Sequence, residues 1–293
     1  MINQALIMKK ILFPFEIDNP IYREAYVFAV KFARNLNTEV ILLNSFTVEV
    51  DNAITKDKYT RLIRDKWLKA YNEISMYNQY YLEDHARVDS ELQIKFDHRF
   101  IHGIFKDEIR KIAGEEAVGL IVLPLSNRKE INKRQLEIIR DNIFEKNRVS
   151  LLVIPFQGTF SPIRNIVFST DFKKVNHFSQ YLEDVVHFAQ AFDSTIHFLH
   201  VSSKEHVEVG EENEAYQMIK HTIEKNKRHI LKQVSGKNVI ESVNQYVGEI
   251  NADLLVVIKQ QHYFLETLFH HSISDDISLN SRIPVLMMRE KGD

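Results

Sequence analysis

The chain repeats itself. Ile11-Leu12-Phe13-Pro14-Phe15-Glu16 returns as Ile166-Val167-Phe168-Ser169-Thr170-Asp171, 155 positions later, and each block ends in a carboxylate. Phe32-Ala33 and Val40-Ile41-Leu42-Leu43 return as Phe188-Ala189 and Ile196-His197-Phe198-Leu199 at an offset of 156. Further on, Gly119-Leu120-Ile121-Val122-Leu123-Pro124 matches Asp253-Leu254-Leu255-Val256-Val257-Ile258, and Val149-Ser150-Leu151-Leu152-Val153 matches Ile283-Pro284-Val285-Leu286-Met287, both at offset 134. Four apolar blocks recurring in order, with one length change, define a duplicated unit rather than a short-period solenoid. Function therefore has to be argued for each half separately.

A chain of 293 residues is long enough for about two ordinary domains, and the repeat places them at 8–156 and 163–290. The polar stretch Gln157-Gly158-Thr159-Phe160-Ser161-Pro162 is the boundary. It is too short to let the halves wander, so they are expected to pack as a pseudo-symmetric pair through their final strands. A further homo-oligomer stays open. The absence of cysteine excludes disulfides, thiol nucleophiles and zinc–thiolate sites. A net charge of -2 gives no bulk field for nucleic acid or an anionic membrane, so neither is expected as a partner. No apolar run approaches the roughly 20 residues that cross a bilayer, and the opening decapeptide does not read as a signal peptide. A cytoplasmic location is the expectation, with Met8-Lys9-Lys10 as a natural start before the first strand.

Short apolar runs alternating with helix-period segments predict β-α units around parallel sheets. Strands are expected near 10–15, 40–46, 91–97, 119–125 and 150–155, then near 164–170, 195–201, 229–234, 253–258 and 284–288. Helices are expected near 20–36, 55–86, 103–114 and 135–146, then near 176–192, 211–228, 238–249 and 273–280. Subtracting the offsets gives the first half about 22 extra residues, assigned to its second helix. Along that helix Tyr59, Leu62, Ile63, Trp67, Ala70, Tyr71, Ile74, Tyr77 and Tyr81 form one apolar stripe, either core or a partner-binding arm. The charged stretch 202–214 reads as a solvated loop or a lid.

A first strand ending in an acid, Ile196-His197-Phe198-Leu199-His200-Val201, Leu254-Leu255-Val256-Val257 and a final Arg282-Ile283-Pro284-Val285-Leu286 resemble the universal stress protein family, in two tandem copies. The resemblance implies two α/β/α sandwiches, each with a five-stranded parallel sheet. ATP-binding members of that family carry, after the fourth strand, a glycine, two residues, a glycine, nine residues, and then glycine with serine or threonine. Glycines let backbone N–H groups approach phosphates at a helix N-terminus. On this chain those positions are Ile258, Gln261, His271 and Ser272, where only the hydroxyl survives. In the first half they are Pro124, Asn127, Glu137 and Ile138. The resemblance therefore predicts no ATP binding of the family's usual kind. Asp171, and less closely Glu16, sit where the family's adenosine-contacting acid sits. A reading in which the second half holds ATP or AMP through Asp171 and Ser272 stays open, as do capping roles for both residues.

His262, His270 and His271 lie close to Ser272, Asp275 and Asp276, but no metal-ligand spacing such as HExxH appears, and no metal is expected. His197 and His200 stand on opposite faces of one strand. There is no Gly-x-Ser-x-Gly, no Gly-x-Gly-x-x-Gly and no P-loop, and so no catalytic residue is assigned. The expectation is a regulatory or binding protein without turnover. Its working surface is the loops at the carboxyl ends of the strands, with Asp171, Ile258, Gln261, His262, His271 and Ser272 as candidate ligand contacts.

Overall fold

Most of the short apolar runs are strands, and most of the longer amphipathic runs are helices. The structure, a computed structural model, describes residues 10–49, 54–85, 94–125, 149–155, 162–170, 178–202, 214–225, 228–258, 269–271, 277–279 and 282–288. The first half runs β1 (Lys10–Pro14), α1 (Ile21–Asn35), β2 (Glu39–Phe46), α2 (Lys56–His85), β3 (Phe96–His102), α3 (Phe105–Glu115), β4 (Leu120–Pro124) and β5 (Ser150–Ile154). The second runs β6 (Asn165–Ser169), α4 (Phe178–Ala191), β7 (Thr195–Ser202), α5 (Glu214–Lys225), β8 (His229–Ser235), α6 (Val239–Glu249), β9 (Leu254–Ile258), β10 (Phe269–His271), β11 (Ile277–Leu279) and β12 (Val285–Met288).

Ten strands form one sheet in the order β3-β2-β1-β4-β5-β12-β9-β6-β7-β8. Each half contributes five consecutive parallel strands, and the halves do not interleave. They join where β5 meets β12 antiparallel, with Leu151 opposite Met287, Leu152 opposite Leu286 and Val153 opposite Val285. The expected pairing through final strands is thus a hydrogen-bonded one that merges two parallel sheets. Register reproduces the repeat: Ile11 lies opposite Val40 and Leu120, and Ile166 opposite Ile196 and Leu254. The turns repeat as well. Asn37 and Asp193 follow α1 and α4 in the left-handed region (φ 49 and 54), as Ala117 and Asn251 follow α3 and α6 (φ 53 and 48), a common way to end a helix.

Strand alternation sends Ile11 and Phe13 to a core beneath α1, α2, α4 and α5, and Leu12 to a second core beneath α3 and α6. The first core is continuous across the halves, since Phe32 of α1 meets Phe188 of α4 and nearby Phe192 at ring-centroid distances of 5.9 and 5.0 Å. Burying a phenylalanine contributes about 2–3 kcal/mol, so this aromatic contact ties the helix layers as the β5–β12 ladder ties the sheet.

The sequence expectation fails in two places. The third strand is 96–102 rather than 91–97: the alternating pattern runs through both windows, and pairing of β2 with β3, Val40 opposite Phe96, selects the later one. The expected helix at 273–280 is replaced at its end by β11, which pairs with β10, Phe269 opposite Leu279 and His271 opposite Ile277. Alternating Ile277-Ser278-Leu279 suits a short strand, and the apolar run is too short to enforce helical period. The helix expected at 135–146 and the boundary 157–161 lie outside the described residues, as does most of 202–214. The extra length is in α2, 30 residues against 12 in α5. Its aromatic stripe divides: Ala70, Ile74 and Tyr77 are buried, Tyr59, Leu62 and Ile63 half-buried, and Trp67 and Tyr71 exposed. Tyr81 has no described side-chain environment.

Candidate functional site

Open parallel sheets bind ligands beyond the carboxyl ends of their strands, where helices leave on opposite faces. In both halves the first strand is extended there by the same pair of bonds. The Phe15 N–H donates to Leu43 O at 2.8 Å, and the Asn44 Nδ2 donates back to Phe15 O at 2.9 Å. The Thr170 N–H donates to Leu199 O at 3.0 Å, and His200 Nδ1 lies 3.0 Å from Thr170 O, an arrangement in which that nitrogen carries the proton. Asn44 and His200 are matched by the 156-residue offset. Sequence reasoning missed this role, and the signal was available: each is the polar residue that directly follows a matched apolar pair, Leu42-Leu43 in β2 and Phe198-Leu199 in β7.

In the first half the next segment is held by α2. The Asp18 N–H donates to Glu73 Oε2 at 3.0 Å, and the Tyr77 hydroxyl donates to the other oxygen of the same carboxyl group. Glu73 is buried, and Tyr77 is pushed well above the ordinary phenol range by burial first and then by its bond to Glu73. Lys69, one turn earlier, reaches the Asp18 carboxylate. Tyr26 donates to Asn78 of α2 from the α1 side. Asp18 itself takes a left-handed φ of 63°, which an aspartate tolerates. The Glu16 carboxylate accepts from Asn19 Nδ2 at 3.4 Å. The inserted length of α2 thus spans the β1–α1 loop, and the Asp18 amide and the Glu16 and Asp18 carboxylates are engaged by the chain itself. Asn44 Oδ1 and Ser45 Oγ, both buried, lack protein partners.

The fourth strand ends differently from a phosphate-binding loop. Ile258, at the first glycine position, is the last residue of β9, opposite Met288, and is buried in the first core. Its counterpart Pro124 ends β4 opposite Ile154 and has no N–H to offer. His271 lies in β10. Asp171, Gln261, His262 and Ser272 lie outside the described residues, as do Asn127, Glu137 and Ile138. His197 faces away from this end: its Nδ1 lies 2.9 Å from the Tyr246 hydroxyl of α6, and burial holds its pKa below the ordinary histidine value. Among the described residues no group of histidine, aspartate and glutamate could hold a metal ion, and no helix is long and apolar enough to cross a membrane.

These features define a tandem, doubly wound α/β protein with its two sheets merged. Residues 162–289 match the universal stress protein family. The whole chain is similar in fold to a universal stress protein from Archaeoglobus fulgidus DSM 4304, with a TM-score of 0.65 and 16% identity over 99% of both chains. It is also similar to a functionally unknown protein from Pseudomonas aeruginosa PAO1, at TM-score 0.54 and 11% identity, covering 98% of this chain and 94% of that one. A third likeness is to the cytoplasmic domain of a prokaryotic cation chloride cotransporter, at TM-score 0.56 and 11% identity, covering 96% and 95%. No curated protein matches the chain.

Proposed function

We propose that this is a cytoplasmic regulatory binding protein without catalytic turnover, whose halves have divided their roles. The first half is a fixed scaffold, because α2 engages the loop that a ligand would need. The second half carries the recognition surface, at the carboxyl ends of β6 and β9 and in the segment 258–272. The observation that carries this reading is Glu73, which reaches from the inserted helix to the Asp18 amide; α5, at 12 residues, is far shorter than α2. Ile258, whose side chain is committed to the first core, and Pro124, which has no N–H, replace the glycines and argue against ATP held by a glycine-rich loop in either half.

Calorimetric titration with ATP and magnesium tests this. The expected result is no saturable heat at sub-millimolar ligand. The rival reading is an adenine-nucleotide sensor using Asp171 and Ser272, motivated by the acid after β6 and the surviving hydroxyl. Saturable binding that is lost in the Asp171→Ala/Ser272→Ala pair would establish it and overturn the first reading.

A further inference from the structure

The joined sheet ends in β3 on one side and β8 on the other, each paired on one flank only. Backbone direction says which groups of β3 are left over. The Val40 N–H donates to Lys95 O at 3.0 Å, and the Gly103 N–H donates to Phe46 O at 2.9 Å, so the odd-numbered residues of β3 turn their N–H and C=O toward β2. Those of Phe96, His98 and Phe100 turn outward, and among the described residues they meet no partner. An edge of this kind is a template for another strand. The side chains are open as well. His98 is exposed on the face that carries α2, between Phe96 and Phe100 at ring-centroid distances of 6.2 and 6.3 Å. Beside Phe100 the stacked pair Trp67 and Tyr71 is 40% and 48% exposed.

The sequence of the edge says which strand fits it. Phe96-Asp97-His98-Arg99-Phe100 reads the same from either end once the two opposite charges are exchanged. Turned antiparallel about His98, it places His98 opposite His98 and Phe96 opposite Phe100, the residues whose outward groups can exchange hydrogen bonds. Asp97 then falls opposite Arg99 in the closer, non-hydrogen-bonded pairs, where opposite charges stabilise an antiparallel ladder. Inside each chain Arg99 already donates to Asp97 at 2.7 Å and to Glu116 at 3.0 Å, and the Asp97 and Arg99 side chains stay 30% and 37% exposed. An inverted second copy keeps those bonds and closes the Asp97 and Arg99 groups of both chains into a ring of alternating sign. The other edge has no such complement, because β8 carries Lys232 and no carboxylate.

We infer that two copies of this chain associate edge to edge through antiparallel β3 strands, with the two-fold axis at His98. The pairing closes on itself, as a two-fold contact does. It places the two second halves at the far ends of one continuous sheet, clear of the contact, so it stands apart from any ligand bound there. A strand of 7 residues makes a small interface, and the dimer is expected at about 100 μM chain and largely dissociated near ~1 μM.

Sedimentation velocity of the full chain across that range tests it, with the folding of every variant checked by circular dichroism. His98→Pro removes an N–H that β2 does not use, a change that an edge strand tolerates, and is expected to raise the association midpoint at least tenfold. Asp97→Lys leaves this edge with basic charge alone, and Arg99→Asp leaves it with acidic charge alone. Each is expected to stay monomeric by itself at the upper concentration, and an equal mixture of the two to form a heterodimer. A purely structural role of Asp97 and Arg99 predicts no rescue on mixing. A wild type monomeric throughout, assemblies that grow beyond the dimer as β3–β8 pairing would give, His98→Pro associating like wild type, or folded charge variants that fail to pair on mixing would each overturn the proposal.

Discussion

Asn44 and His200 perform one task in two halves, each bonding the carbonyl of the residue that follows the first strand, Phe15 or Thr170. Asparagine uses its amide nitrogen and histidine a ring nitrogen, so the bond has outlasted the residue type across the duplication. Removing the donor in Asn44→Ala would strand a buried carbonyl and leave a cavity, at about 1–3 kcal/mol. Asn44→His should cost less than Asn44→Ala, because the second half already builds the same bond that way. Urea denaturation midpoints of the three proteins check the ranking.

Glu73 is expected to couple to Tyr77. Either Glu73→Ala or Tyr77→Phe breaks a buried bond, at about 1–3 kcal/mol each. Their combination should be less costly than the sum by about 1 kcal/mol, since residues sharing one bond are not additive. Glu73→Ala also frees the Asp18 amide, so hydrogen exchange at 16–19 should quicken in that variant and stay unchanged in Tyr77→Phe. Equal exchange in both would remove Glu73 from its role at the loop.

Ile258 sets a limit on restoring the family's glycine motif. Its side chain is buried at the end of β9, so Ile258→Gly loses packing worth about 2–5 kcal/mol and weakens the strand further. The expected outcome of Ile258→Gly with Gln261→Gly and His271→Gly is a drop in melting temperature with no gain of ATP affinity, read by thermal unfolding with and without ATP. A ligand-dependent rise in melting temperature would show that the loop can still form a phosphate cradle.

The repeat made the fold legible because register in a buried parallel sheet is enforced by pattern: a one-residue slip in β1 would send Ile11 and Phe13 to the wrong core. What period could not give was the start of β3, since alternation runs on both sides of Phe96, or the strand β11, where three alternating residues compete with helix period. The site was less legible. Glu73 lies 55 residues from Asp18, and on an amphipathic helix an acid among apolar neighbours reads as exposed until its partner is placed. The meeting of the halves through their final strands was legible from the repeat; that β5 and β12 would hydrogen-bond edge to edge into one sheet was not.

His197 is expected to contribute to the pH dependence of the second half. It lies between Val167 of β6 and Ile230 of β8 in the sheet, and faces Tyr246 of α6, whose hydroxyl is raised by burial and then by Glu249. Burial lowers the imidazole below its ordinary value of 6.5, and Nε2 has no protein partner, so a proton there would bring an unpaired buried charge. Because the folded value is the lower one, the unfolded chain binds more protons between the two. Stability from this group is therefore fully present above about pH 6.5 and is lost as pH falls toward the folded value. Denaturant midpoints measured from pH 8 down to pH 5 should decline for wild type. His197→Phe removes the titrating ring but strands the Tyr246 hydroxyl, so the comparison is His197→Phe/Tyr246→Phe, whose decline should be shallower. An equal slope in wild type and the double variant would assign the acid sensitivity to other groups.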